Sequence, residues 1–234
     1  MTFLQAAAPL SEEVPKPEAC PLPSVTRRIL AASEASAAIR RGIIRAARDC
    51  ELWGGDWPTD RGCENLLQVR AAEELHVALR QHGLGWVTLE EPVASVSGGG
   101  TRRRGRRFSG MSDQQRADLA IWSRAENIYA MVELKRAEDD RSWRADLEKL
   151  ARLVATYGRQ HGNHLRYGVL GVYISRPTGE LVRLRGARLK ALAAETAARF
   201  GLRHRTILDE AVHCYQGGEE DGWTCGAASV ELRA

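Results

Sequence analysis

Two short apolar runs that carry ionisable residues constrain the fold of this chain most strongly. They cover residues 116–122 and 129–135, and a polar turn separates them. Apolar runs of this length on either side of a turn predict two adjacent strands of a sheet. Successive side chains of a strand point to opposite faces, so Glu133 and Lys135 share one face and Leu134 points to the other. The pattern therefore predicts a central hairpin with Leu134 in the core.

Lys135 is notable because lysine is rare in this chain. Only four of its thirty-four basic residues are lysines, so arginine supplies most of the positive charge. An ammonium is a compact charge whose pKa shifts readily, whereas a guanidinium stays charged. Next to Asp118 and Glu133, which could bind Mg²⁺, a lysine can orient and help deprotonate a water that attacks a phosphodiester. The alternative is a cross-strand ion pair, but the apolar flanks favour buried, functional charge.

At these residues the chain resembles the PD-(D/E)xK nuclease superfamily, which has the restriction-endonuclease-like fold. The resemblance rests on residues 116–122 and 129–135, and it extends over roughly residues 61–215. Ala117 stands where a proline is often found in the superfamily, at a variable position. The resemblance implies an α/β fold with a restriction-endonuclease-like core, in which a central mixed β-sheet is flanked by helices.

The resemblance also implies a site and an activity. Asp118, Glu133 and the main-chain carbonyl of Leu134 would coordinate Mg²⁺ or Mn²⁺, and Lys135 would position the attacking water. The expected activity is metal-dependent hydrolysis of phosphodiester bonds, with DNA as the expected nucleic-acid partner. Two alternatives stay open. One is a catalytically silent nucleic-acid-binding module on the same fold, and the other is a protein-interaction module.

A fourth acidic ligand is expected from the first core helix, which the periodicity predicts over residues 63–82. Glu64 falls on the apolar face of this helix, so we predict that it binds the metal directly or through water. Glu74 lies at the edge of that face and is the reserve. An acid in the first turn also opposes the helix dipole, which is an alternative role for Glu64.

Arginines are concentrated in a Gly/Ser-rich segment directly before the Asp118 strand. Such a segment can contact phosphates and add a salt-dependent contribution to affinity, or it can be a solvated insertion. We predict the first role. The net charge of +4 is only mildly basic and does not by itself indicate a nucleic-acid partner. The predicted nucleic-acid-binding residues are Arg102, Arg103, Arg104, Arg106 and Arg107.

The remaining sequence predicts three regions and a regular order of elements. Residues 1–24 form a Pro-rich tail, residues 25–58 a basic helical extension, and residues 59–234 the nuclease-like domain. The extension is predicted to pack on the core, with pairing to a second subunit or partner protein, or contact with DNA, as alternatives. Further helices are predicted at 142–157 and 188–200, and further strands at 86–96, 165–175, 206–215 and 228–232.

Three further predictions concern single residue types and the location of the protein. Lys149, on the helix after the hairpin, is predicted to be solvated rather than to face the site. The five cysteines have no zinc or disulfide spacing, so reduced thiols in a cytoplasmic protein are expected. No apolar run is long enough to span a bilayer, so no membrane association is predicted.

Overall fold

The computed structural model describes residues 29–54, 64–97, 115–136, 139–158, 164–209, 212–213 and 224–234. The predicted Pro-rich tail at 1–24 and the arginine-rich segment at 102–107 lie outside the described residues. The four α-helices of the described part are α1 (Ala32–Gly54), α2 (Glu64–His82), α3 (Asp140–Tyr157) and α4 (Gly179–Phe200). Its strands are β1 (Trp86–Pro92), β2 (Arg116–Trp122), β3 (Ile128–Arg136), β4 (Tyr167–Arg176), β5 (Arg203–Leu208), β6 (Val212–His213) and β7 (Thr224–Arg233).

These strands form one mixed sheet in the order β1-β2-β3-β4-β7-β5, with β6 paired to β7. Strands β1, β2 and β3 are an antiparallel meander, and β3 is parallel to β4. A parallel pair needs a crossover connection, which α3 provides. Strand β7 is antiparallel to both β4 and β5. The predicted α/β class, with a mixed sheet flanked by helices, is therefore confirmed.

One face of the sheet packs against α1 and α2. Leu134 is 2% exposed and contributes to this core, as its strand position predicts. Helix α1 crosses α2 closely, because a Cβ built on Gly42 would lie 2.5 Å from the Cα of Ala71. On β4, a Cβ on Gly171 would lie 2.6 Å from Cγ2 of Ile39 in α1. The first helix is thus packed on the core in the way that its apolar face predicts.

The other face packs against α3 and α4 around the buried Trp143. Asp139 caps the start of α3, where its side chain accepts a hydrogen bond from the Ser142 amide. Helix α4 begins at Gly179, nine residues before the predicted start at 188, after the cap residue Thr178. Near its start, Leu181 and Leu184 are exposed while Val182 is buried, so the apolar residues there do not mark one face of a helix.

Two strand predictions also differ from the structure. The predicted strand at 86–96 ends at Pro92, and a 3₁₀ helix (Val93–Ser97) follows it. Proline has no amide hydrogen for the sheet, so a strand readily ends there. The predicted strand at 206–215 is divided into β5 and β6, which both pair with β7.

The prediction that the cysteines are reduced thiols is wrong at Cys225. This residue of β7 is disulfide-bonded. Sequence spacing identifies closely spaced cysteine motifs, but it does not identify a pairing that depends on tertiary structure. None of the helices in the described ranges is long and apolar enough to cross a membrane.

Candidate functional site

The antiparallel register of β2 and β3 brings Asp118 and Glu133 together. Leu119 of β2 pairs with Val132 of β3. Because the strands are antiparallel, the residue before Leu119, which is Asp118, lies opposite the residue after Val132, which is Glu133. The two carboxylates are therefore neighbours on adjacent strands. Asp118 is held in place by the backbone of β3, because its Oδ2 accepts a hydrogen bond of 2.6 Å from the Leu134 amide.

Glu133 is a buried carboxylate, with only 2% of the residue exposed. Its pKa is raised to about 8, mainly by burial; Lys149 opposes this increase, and the charge of Asp118 adds to it. The Nζ of Lys149 lies 2.6 Å from Oε1 of Glu133 and also donates to the main-chain oxygen of Arg116. The prediction that Lys149 is solvated is therefore wrong. Helix α3 packs next to β3, and Lys149 lies on the side of the helix that faces Glu133.

Lys135 lies on the same face of β3, with its Nζ 3.6 Å from Oδ2 of Asp146 in α3. Burial lowers the pKa of Lys135, but the surrounding carboxylates, led by Asp146 and Asp118, raise it above its ordinary value. The ammonium is therefore charged at neutral pH. It can donate hydrogen bonds to a water or to a phosphate oxygen, rather than take up a proton.

Asp146 and Asp118 are both carboxyls whose pKa is raised by burial. For Asp118 the Leu134 amide, Lys135 and Lys149 act in the opposite direction. For Asp146 the two lysines lower the pKa and Glu64 raises it. Sequence reasoning missed Asp146. Its position three residues before Lys149 puts both on one face of α3, and this spacing could have indicated it.

The two glutamates considered on α2 have different surroundings. Glu64 is the first residue of the helix, and its charge acts on both Lys135 and Asp146, so it lies beside the site. Glu74 points instead toward α1, where its Oε2 is 2.9 Å from Nε of Arg41. Of these two acids, the structure brings only Glu64 to the site.

Two further residues, which the sequence did not indicate, lie beside Asp118. Gln68 of α2 donates through Nε2 to Oδ1 of Asp118 at 2.9 Å and to Oε1 of Glu90 at 3.0 Å. Glu90 of β1 lies opposite Asp118, between the pairs Leu89–Leu119 and Glu91–Ala117. Its φ of 52° is in the left-handed region, where a non-glycine residue is strained. Such strain is often found where side chains are positioned for function.

The donors at this site fit a hard divalent cation. Asp118 and Glu133 offer adjacent carboxylates, and Leu134, whose amide donates to Asp118, follows Glu133 on β3. Carboxylate and main-chain carbonyl oxygens suit Mg²⁺ or Mn²⁺. Burial raises the pKa of Glu133 more than Lys149 lowers it, so a bound cation would favour the ionised carboxylate. Within the described ranges, no group of three or more His, Cys, Asp or Glu side chains is arranged to hold a metal ion. The fit thus rests on two carboxylates and a carbonyl.

Comparisons of this chain with protein-family models, with curated proteins and with solved structures found no match. Function must therefore be inferred from the residues of the site and from the order of the elements around it.

Proposed function

We propose that this protein is a metal-dependent nuclease of the PD-(D/E)xK type that hydrolyses phosphodiester bonds, with DNA as the expected substrate. One observation carries the proposal. Asp118 of β2 lies beside Glu133 of β3, and Lys135 is on the same face of β3. Buried charge of both signs has a large desolvation cost, and a functional site is the usual reason for it.

The order of the elements supports the same proposal. Helix α2 precedes the antiparallel meander β1-β2-β3, and α3 then connects β3 to the parallel strand β4. This is the element order expected for a restriction-endonuclease-like core. It puts the motif strands in the interior of the sheet, with a helix on each face.

Each residue of the site has a role in the proposed reaction. Asp118, Glu133 and the Leu134 carbonyl would hold Mg²⁺ or Mn²⁺, with Glu64 binding it directly or through water. The cation would polarise the phosphate and lower the pKa of a bound water. Lys135 donates a hydrogen bond that orients the attacking water, and Asp146 holds the ammonium in place. The arginines at 102–107 would contact the phosphate backbone.

A catalytically silent nucleic-acid-binding module is the second candidate, and one observation favours it. The Nζ of Lys149 lies 2.6 Å from Oε1 of Glu133, so this carboxylate already has a cationic partner. In an active enzyme, Lys149 would have to share Glu133 with the metal. Activity measurements separate the two candidates, because only the first requires hydrolysis.

The proposed function is tested by incubating the protein with labelled DNA and RNA in Mg²⁺, in Mn²⁺ and in EDTA. We expect cleavage in either metal and none in EDTA. Lys135→Ala should lower the cleavage rate by at least about a hundredfold, because the water loses its positioning group. Lys190→Ala, which removes an exposed lysine of α4, is the matched control. Binding without cleavage on every substrate would favour the silent module.

A further inference from the structure

A second candidate binding site lies at one end of the sheet. It is formed by the end of α2, the start of β1 and the turn that follows β2. It is a pocket of about 310 Å³, and its lining includes Arg80, Trp86, Arg124 and the glycine-containing turn at 83–85. We call it the Trp86 pocket. None of these residues takes part in the site around Asp118, so the pocket requires an explanation of its own.

The Trp86 pocket has a fixed aromatic surface. The rings of Trp86 and Trp122 are stacked, with centroids 5.9 Å apart and planes 7° from parallel. Trp122 is held in turn by a hydrogen bond of 2.9 Å from its Nε1 to Oγ1 of Thr88. Trp86 is nevertheless 37% exposed. A rigid, partly exposed indole is a surface on which a nucleobase stacks.

Two exposed guanidinium groups flank this surface. Arg80 lies in the last turn of α2 and Arg124 in the turn after β2, and both are exposed. Neither forms an ion pair with any residue in the described part of the chain, in contrast to Arg144, for example, which pairs with Glu195. Such guanidinium groups are suited to phosphate oxygens, which they bind through several donors.

The glycine turn keeps the pocket open beside Arg124. Gly83 has a φ of +64°, and a Cβ built on it would lie 3.1 Å from Nη2 of Arg124. The guanidinium therefore lies close over this glycine. At Gly85, a Cβ would lie 1.8 Å from the main-chain oxygen of Trp122, so only glycine allows β1 to begin this close to the end of β2.

The Trp86 pocket lies in line with the candidate active site. Asp118 and Trp122 are four residues apart on β2, so they share a face and are separated by about 13 Å at about 3.3 Å per residue. Trp86 pairs with Trp122 in register. At a rise of about 3.4 Å per nucleotide, this distance corresponds to roughly four nucleotides of a duplex strand.

We propose that the Trp86 pocket binds one nucleobase and its phosphate in a nucleic-acid strand that extends to Asp118. The base stacks on Trp86, and Arg80 and Arg124 contact the phosphate. That this nucleic-acid strand is a substrate of the protein rests on the proposed function. A free nucleotide offers the same base and phosphate, so the test includes both kinds of ligand.

The test measures binding in EDTA, where the proposed cleavage does not occur. The probes are a labelled oligodeoxyadenylate of about twelve nucleotides, a length within the site sizes of single-strand-binding folds, and deoxyadenosine monophosphate. Trp86→Ala should weaken oligonucleotide binding by about tenfold or more. Trp86→Phe keeps an aromatic ring for the stack, so it should lose less. Trp53→Ala, which removes an exposed tryptophan of α1, should bind as the parent does.

The cationic part of the pocket is tested by the double variant Arg80→Gln/Arg124→Gln. Two lost phosphate contacts on a single strand should flatten the dependence of log affinity on log salt by about 1.4. Arg183→Gln, at an exposed position on α4, is the control. Neither arginine of the pair contributes to the core, so this variant remains informative if Trp86→Ala does not fold.

The outcomes separate this inference from the proposed function. Equal oligonucleotide binding by Trp86→Ala, Trp53→Ala and the parent would overturn the inference, as would a parent that binds neither probe. Binding of the mononucleotide as tightly as the oligonucleotide would overturn the assignment to a strand. Weakened binding in Trp86→Ala, together with no cleavage by the parent in any metal, would support the pocket and contradict the nuclease function.

Discussion

At the scale of single residues, the site combines groups that strand geometry fixes with groups that other elements bring to it. Asp118, Glu133 and Lys135 can be predicted from the sequence, because a hairpin of two apolar strands places them on one face. Lys149 and Asp146 cannot be predicted with the same certainty, since their position depends on how α3 crosses the sheet. The ion pair between Lys149 and Glu133 is a consequence of that crossing.

The choice between Glu64 and Glu74 as the acidic residue of α2 can be tested directly. Glu64→Gln keeps the size of the side chain but removes the charge, so cleavage should fall by at least about a hundredfold while DNA binding persists. Higher Mn²⁺ should restore part of the rate, because Mn²⁺ binds a weaker set of ligands more tightly than Mg²⁺ does. The rate is measured under single-turnover conditions.

Glu74→Gln is the matched control for this measurement. Glu74 pairs with Arg41 of α1, so its loss should leave the cleavage rate within about twofold of the parent. An inactive Glu74→Gln would contradict the role of Glu64 and would assign the acidic residue of α2 to Glu74. If both variants were fully active, α2 would supply no essential carboxylate.

At the scale of elements, the pattern of apolar residues predicts which helices and strands form, but not all of their ends. Helix α3 follows its predicted apolar face, with Trp143, Leu147 and Leu150 buried. Helix α4 begins before its predicted start, because the exposed Leu181 and Leu184 in its first turns obscure the apolar periodicity in the sequence. The strain at Glu90 and the disulfide at Cys225 depend on tertiary structure, which local patterns do not specify.

The close crossing of α1 and α2 predicts a sensitivity at Gly42. A Cβ at this position would lie 2.5 Å from a backbone atom of α2, so the helices would have to move apart. Gly42→Ala should lower the free energy of unfolding by about 1–3 kcal/mol, as overpacking does. The measurement is urea denaturation. Gly179→Ala is the control, since its nearest neighbour would be 3.8 Å away, and equal stability of the two variants would contradict the packing of α1.

We predict that the stability of the fold depends on pH through Asp140, because this carboxylate forms ion pairs that connect α3 to α4. Its Oδ1 is 2.9 Å from Nη1 of Arg185, and its Oδ2 is 2.7 Å from Nε of Arg188. The hydrogen bond from Arg188, together with the charge of Arg185, lowers the pKa of Asp140. The stabilisation is therefore complete above the unfolded-state pKa of about 3.9, and it is lost as pH falls through the lower folded-state pKa.

Asp140→Asn should accordingly lower the free energy of unfolding at pH 7 by about 1 kcal/mol or less, because the pairs are partly exposed to solvent. The difference from the parent should shrink at a pH below about 4. Urea denaturation across this pH range measures it, and Glu126→Gln, at an exposed turn residue, is the control. A difference that stays constant down to the lowest pH would contradict this account of Asp140.

At the scale of the whole molecule, the sheet separates the face that α1 and α2 cover from the face that carries Glu133 and Lys135. Helices α1 and α2 cover the face that contains Leu134, while Glu133 and Lys135 face α3. The first two turns of α2 also reach the candidate site, where Gln68 donates to Asp118. Asp118 of the candidate active site lies on β2, and the Trp86 pocket lies at the end of this strand, where Trp86 pairs with Trp122. A strand of nucleic acid could therefore contact both along a single line, which would join the proposed chemistry to substrate positioning.

The central claim is that Asp118 and Glu133 together hold a divalent cation, and it can be measured without knowledge of the substrate. Titration with Mn²⁺, followed by electron paramagnetic resonance of the free ion, gives the number of bound ions and their affinity. We predict one bound Mn²⁺ per chain in the parent and in the control Glu180→Gln. In Glu133→Gln the affinity should fall by at least about tenfold, because a buried amide replaces a charged ligand. Equal Mn²⁺ binding by Glu133→Gln and the parent, or none by the parent, would contradict the account.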